Sequence, residues 1–342
     1  MKTKDFDYTL PEALIAQTPL KDRLESKLLV MNRFTGKLHH DRFFNLHAYL
    51  KAGDVLVIND TKVLPARLIG LKADTQATIE VLMLSDLGDD TWECLVKKAR
   101  KVKIGTIIRF GEGRLTMRCV QVEADGMRVF KLHYQGILYE VLDELGTMPL
   151  PPYIHETLDD PDRYQTVYSK EKGSAAAPTA GLHFTKSYLS RLEAMGVEIV
   201  PITLHVGLGT FRPVSVEDVD HHIMHKERYS ISESSANTIN RAKQENRRII
   251  AVGTTSIRTL ETAQQDGEVK AGSGESQLFI YPGFQFNVVD ALITNFHLPQ
   301  STLLMLVSAF ASQKTIMAAY QSAIQKQYRF FSFGDAMFLT NT

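Results

Sequence analysis

Three segments place a histidine in a loop or at a strand end, two of them among small residues and glycines. In "SAAAPTAGLHFT", residues 174–185, His183 is the one ionisable side chain, with Thr179 and Gly181 just before it. In "LHVGLGTFRPV", residues 204–214, His205 ends a strand pattern and is followed by Gly207, Gly209, Thr210 and Arg212. In "TNFHLP", residues 294–299, Asn295 and His297 precede Pro299. Histidine titrates nearest neutral pH, which suits proton transfer. Loop glycines let backbone approach a ligand closely. The competing reading for each ring is a hydrogen-bonded core histidine. A fourth segment, "IIAVGTTSIRTLE", ends a buried strand at Gly253 and opens a helix with Thr254, Thr255 and Ser256. Free N–H groups and hydroxyls at a helix start suit an anion or a carboxylate, although ordinary capping accounts for one such hydroxyl.

Two further clusters have weaker signals. "DHHIMHKERY" holds His221, His222, His225 and Glu227. On a helix His221 and His225 would share a face, which is half of a zinc motif. HExxH itself fails, because position 222 is His. A metal-dependent hydrolase using this cluster is therefore one rival reading. "KKARKVK", residues 97–103, carries Lys97, Lys98, Arg100, Lys101 and Lys103. It reads either as a charged strand edge or as a phosphate-contacting patch. "GLGTFR" and "GSGESQ" miss GxGxxG at Arg212 and Gln277, and neither a Walker loop nor GxSxG occurs.

The elements that must position these residues alternate in type. "PEALIAQ" reads as a short helix beginning at Pro11, and "KLLVMNR" as a strand. "DVLVINDTKV" reads as a buried strand, Val55 to Ile58, running into Asn59, Asp60, Thr61 and Lys62. Polar residues at the carboxyl end of such a strand line the ligand crevice of α/β sheets. From Ala66 to Gly136 short strands follow one another, separated by "LGDD", "GEG" and "ADG" turns. Helix "ILYEVLDEL" and the proline-rich "TMPLPPYI" close that region. Beyond it, helix patterns over 184–196, 233–247, 256–265, 301–311 and 314–328 alternate with strand patterns "VEIVPITLHVG", "RIIAVG", "QLFIYPG" and "ALITNF". The expected fold class is α/β: a mixed catalytic domain over 1–65 and 148–342, with a small antiparallel β-barrel inserted over 66–147.

The chain has 342 residues, 39 basic and 39 acidic, and formal net charge zero. That balance excludes a globally basic nucleic-acid binder, so any such contact must be a local patch. The two cysteines, Cys94 and Cys119, are far apart, which excludes a disulfide framework and a cysteine zinc site. A reducing, cytoplasmic setting is expected. The N-terminus lacks a signal-peptide pattern, and the apolar run near 303–311 is far short of the ~20 residues of a membrane span. Nothing demands a dimer, so a monomer is expected.

Together "FDYTLPEALIAQTPL", "NDTKVLPARL", "PTAGLHFT", "LHVGLGTFRPV", "HHIMHKERY", "AVGTTSIRTLE" and "TNFHLPQSTLLMLVSAF" resemble the S-adenosylmethionine:tRNA ribosyltransferase-isomerase family of queuosine biosynthesis. The resemblance runs over essentially the whole chain. It implies a partly barrel-like α/β catalytic domain with an inserted β-barrel. It also implies a reaction in which the ribosyl of S-adenosylmethionine passes to 7-aminomethyl-7-deazaguanine at the tRNA wobble position. The ribosyl is isomerised to give epoxyqueuosine, and adenine and methionine leave. S-adenosylmethionine is then a consumed substrate, and no cofactor or metal is implied. On this reading His183 or His205 is the base, with the other, or His297, as acid. Thr254, Thr255 and Ser256 would hold the methionine carboxylate or ribose hydroxyls. Asp60 and Glu227 would face the sulfonium or the substrate amine. Lys62, Thr179, Gly181, Gly207, Arg212, His222, His225 and Asn295 complete the candidate substrate-binding set. The basic run at 97–103 becomes a candidate tRNA contact. A non-catalytic RNA-binding protein is the second rival.

Overall fold

A computed structural model of the chain describes residues 1–207, 214 and 216–341. Two compact units emerge, one of residues 1–60, 152–170 and 178–342, the other of residues 61–151 and 171–177.

The larger unit is built on a nine-stranded mixed sheet. Its strands run in the order Gly272–Ser276, Glu227–Ile231, Glu198–Leu204, Val55–Asn59, Ile249–Val252, Ala291–Asn295, Ala336–Thr340, Lys27–Asn32 and Leu38–Arg42. The four central strands, Glu198–Leu204 through Ala291–Asn295, are mutually parallel. A parallel sheet covered on both faces needs strands that are apolar throughout. Val55 to Ile58 meet that need by alternation. Val55 and Val57 enter one core with Ile249 and Ala251, under the helices Glu233–Gln244, Thr254–Ala263, Thr302–Phe310 and Gln313–Gln325. Leu56 and Ile58 enter the other with Ile250 and Val252, under the helix Lys186–Ala194 and the 3₁₀ segment Phe43–Tyr49. Side-chain hydroxyls cap four of these helices: Thr185, Ser232, Ser301 and Ser312 each accept the N–H three residues on, worth about 1 kcal/mol apiece.

The smaller unit holds a closed antiparallel barrel of Met127–Tyr134, Thr91–Val96, Thr78–Gly88, Arg67–Lys72, Ile107–Phe110 and Leu115–Val122. Its interior includes Trp92, Phe110 and Phe130. Cys94 and Cys119 are both buried free thiols in that interior. Among the described residues no single helix is long and apolar enough to cross a membrane.

Three local expectations are corrected. "PEALIAQ" is only a 3₁₀ turn, Glu12–Leu14, with Pro11 as its cap. "QLFIYPG" is not a strand. The strand lies just before it, Gly272–Ser276, where the small residues fit: a side chain at Gly274 would stand 2.8 Å from the Tyr229 hydroxyl. Residues 221–225 form no helix. A 3₁₀ turn ends at His221 and extended chain follows.

Candidate active site

The parallel register brings the carboxyl ends of four strands to one edge of the sheet. Asp60, His205, Gly253 and Asn295 follow or end those strands, at the place where open α/β sheets bind ligands. Backbone and side-chain bonds fix the edge. Asn59 clamps Leu204, donating from its amide to the Leu204 carbonyl and accepting the Leu204 N–H, both at 3.0 Å. The Thr203 hydroxyl donates to Asp60 at 2.7 Å. The His205 N–H donates to the Arg228 carbonyl at 2.9 Å, and the residue is half-buried.

The segment Thr179–His183 is a 3₁₀ turn beside this edge. The Thr179 hydroxyl donates to the Asn295 side-chain oxygen at 2.9 Å. Gly181 is required by contact: a Cβ there would lie 2.0 Å from the Tyr168 hydroxyl. Among the described residues that hydroxyl is buried without a partner, and burial together with the nearby Asp60 charge pushes its pKa up.

His183 does not face this crevice. It is 0% exposed and stacks on Phe43, with centroids 4.8 Å apart. Its Nδ1 is 3.2 Å from the Ala180 carbonyl; its Nε2 is 3.1 Å from both Arg23 Nη2 and the Gly334 carbonyl. Arg23 is itself buried and donates from Nη1 to the Phe333 carbonyl at 2.8 Å. A neutral ring with its proton on Nδ1 fits: it donates to Ala180 and accepts from Arg23. Burial and the Arg23 charge push the His183 pKa well below the ordinary value. The expected proton-acceptor role is corrected accordingly. Its basicity is suppressed and its nitrogens are spent on the fold.

His297 is also buried, and burial pushes its pKa down to about 3. Its Nε2 lies 2.8 Å from the Thr294 hydroxyl, its N–H donates to Tyr320, and its carbonyl accepts from Tyr8. A ring so hard to protonate is no acid at neutral pH. Ser256 drops out as well, since it is fully buried and donates to the Val252 carbonyl at 2.8 Å.

Thr254 and Thr255 do open the helix Thr254–Ala263, behind Gly253 at φ +86°. Glu227 is buried, accepts the Gly207 N–H at 2.9 Å and pairs with buried Arg258. His222 packs edge-on against Phe279, centroids 5.0 Å apart, and His225 is exposed. Arg212, with Gly209 and Thr210, lies outside the described residues. Among the described residues no three His, Cys, Asp or Glu side chains gather as a metal site, so the hydrolase reading loses the convergence it needs. Arg23, Tyr168 and Arg258 are the residues that sequence reasoning missed. Arg258 sits inside a quoted motif, four positions after Thr254, and that spacing was its available signal.

In the smaller unit, Lys62 lies in the strand Thr61–Val63. Lys97, Lys98, Arg100, Lys101 and Lys103 are all exposed, around a 3₁₀ turn at Ala99–Lys101 rather than along a strand. Buried Arg128 fixes that turn, donating to the Val102 carbonyl at 2.9 Å and the Ala99 carbonyl at 2.8 Å.

Residues 3–339 match the family described as queuosine biosynthesis protein. The chain is 57% identical over 340 residues to the S-adenosylmethionine:tRNA ribosyltransferase-isomerase of Staphylococcus haemolyticus, covering 99% of this chain and 100% of the relative. It is 58% identical, with the same coverage, to the protein of that name from Macrococcus caseolyticus. A crystal structure of an S-adenosylmethionine tRNA ribosyltransferase from Thermotoga maritima is similar at 38% identity and TM-score 0.57, covering 98% of this chain and 99% of that one. With residues 3–339 matched and full-length relatives at 57–58% identity, the chain belongs to the queuosine biosynthesis protein family.

Proposed function

We propose that this enzyme transfers and isomerises the ribosyl of S-adenosylmethionine onto tRNA carrying 7-aminomethyl-7-deazaguanine, releasing adenine and methionine. The observation that carries the reading is the full-length match to ribosyltransferase-isomerases at 56–58% identity. The crevice at the strand ends supports it, because it gathers the groups the chemistry asks for. Carbons beside a sulfonium are acidic, so a base can remove a ribose 5′ proton and start the reaction. His205, half-buried at the crevice, is the base in this reading. Asp60 and Glu227 supply the negative charge that a sulfonium and an amine prefer. Thr179, Asn295 and the Gly181 turn shape the wall. A tRNA substrate fits a cytoplasmic setting.

The test is product analysis with S-adenosylmethionine and the precursor tRNA. Free adenine and methionine should appear only when that tRNA is present. Bound tRNA with no adenine released would return the protein to the RNA-binding reading.

The exposed basic turn is the proposed phosphate contact. Changing Lys97, Lys98, Arg100, Lys101 and Lys103 to alanine should weaken tRNA binding. It should also make the slope of log affinity against log salt shallower by about 4. An unchanged slope would make the turn a solvated surface only.

A further inference from the structure

The helix Thr254–Ala263 carries an arginine with a donor left over. Arg258 is 4% exposed. Its guanidinium is held on two sides: Nη1 donates to the Glu227 carboxylate, and Nε donates to the Leu278 carbonyl at 3.2 Å. Among the described residues Nη2 is buried and has no acceptor. Buried polar groups are nearly always paired, and an unpaired one attached to a charge is costly.

The direction of the side chain locates the missing acceptor. Helical side chains lean toward the N-terminus, and residues three and four apart share a face. Arg258 therefore lies over the first turn, on the face of Thr254 and Thr255. There the Thr255 Oγ1 is also buried without a partner. The first N–H groups of a helix have no intrahelical acceptor and carry positive partial charge. Gly253, at φ +86°, turns the chain into the helix start, where a Cβ would meet Thr255 Oγ1 at 3.4 Å and the Ala180 Cβ at 3.7 Å. A guanidinium N–H, a hydroxyl and helix N–H groups are thus carried on the first two turns of one helix. The negative charge of Glu227 stands beside them.

We propose that Arg258, Thr255 and the N-terminus of this helix bind the α-carboxylate of the methionyl portion of S-adenosylmethionine. A carboxylate brings two acceptor oxygens and the charge that such donors complement. An α-amino acid also brings an ammonium, and Glu227 presents the opposite sign on the adjoining side. The assignment chooses the carboxylate over the ribose hydroxyls, and it rests on the proposed transferase function.

The experiment compares S-adenosylmethionine with decarboxylated S-adenosylmethionine as ribosyl donors, by kcat/KM for adenine release with saturating precursor tRNA. Wild-type enzyme should prefer the carboxylated donor by about 10–100-fold. Thr255→Val is nearly isosteric and removes a hydroxyl that has no partner, so its thermal midpoint should hold or rise. Its donor preference should fall by about tenfold. Arg258→Gln alone would strand a buried carboxylate, so it is made together with Glu227→Gln. In that double variant the preference should collapse toward one. A merely structural Arg258 would lower both donors alike and keep the ratio. An unchanged ratio in both variants overturns the assignment, as does a wild-type enzyme that turns over both donors equally. A wild-type enzyme that releases no adenine from S-adenosylmethionine overturns the transferase reading, and this assignment with it.

Discussion

Replacing His183 with alanine is expected to destabilise the fold by about 3–5 kcal/mol, with activity lost only in proportion to the protein unfolded. The ring is wholly buried, stacked on Phe43, and bonded at both nitrogens. Its removal opens a cavity and leaves Arg23 Nη2 and the Ala180 carbonyl without their partner. Denaturant unfolding beside specific activity per folded molecule separates the two effects. A stable but inactive variant would restore His183 to the chemistry. The same ring also makes the protein sensitive to acid. An unfolded histidine titrates near 6.5. Folded His183 lies well below that value through burial and the Arg23 charge, and folded His297 near 3 through burial. Below pH 6.5 the unfolded chain therefore binds more protons than the native one. The contribution is fully present above 6.5 and is lost as pH falls toward the folded values. As pH falls from 7 through the unfolded value, both rings therefore withdraw stability, and the denaturant midpoint should fall with it. The His183→Ala variant should show a shallower fall over the same interval.

What was legible in the sequence follows from which interactions are local. The unbroken apolar run Val55–Ile58 marks a strand buried on both faces, whatever its neighbours. Ser301, at the start of the 301–311 pattern, announces its helix because a cap acts three residues away. The turn-separated strands between 66 and 136 carry the barrel signal in their own alternation. The candidate histidines carried no such local signal. The glycine-flanked settings of His183 and His205 look alike in one dimension. Only the packing of Arg23 and Phe43, more than a hundred residues away in sequence, seals one of them inside. Arg258 had only its spacing from Thr254 as a signal, since its pairing depends on Glu227 from a strand some thirty residues earlier. The segment "QLFIYPG" misled because apolar residues alone do not make a strand. Ile280 is buried in the core as irregular chain, and the paired strand is the glycine-containing stretch before it.

Replacing His205 with glutamine is expected to cut turnover by about 10²–10⁴-fold while stability changes by no more than about 1 kcal/mol. Of the three histidines first considered, two are sealed in the core with depressed pKa values, and only His205 is half-buried at the crevice. Its place is fixed by backbone, through the Arg228 carbonyl and the Asn59 clamp on Leu204. Those backbone bonds persist when the ring is replaced by glutamine. Turnover above a tenth of wild type would move the base to another group at the same edge. Asp60 is then the next in place, since the Thr203 hydroxyl already holds its carboxylate at the neighbouring strand end.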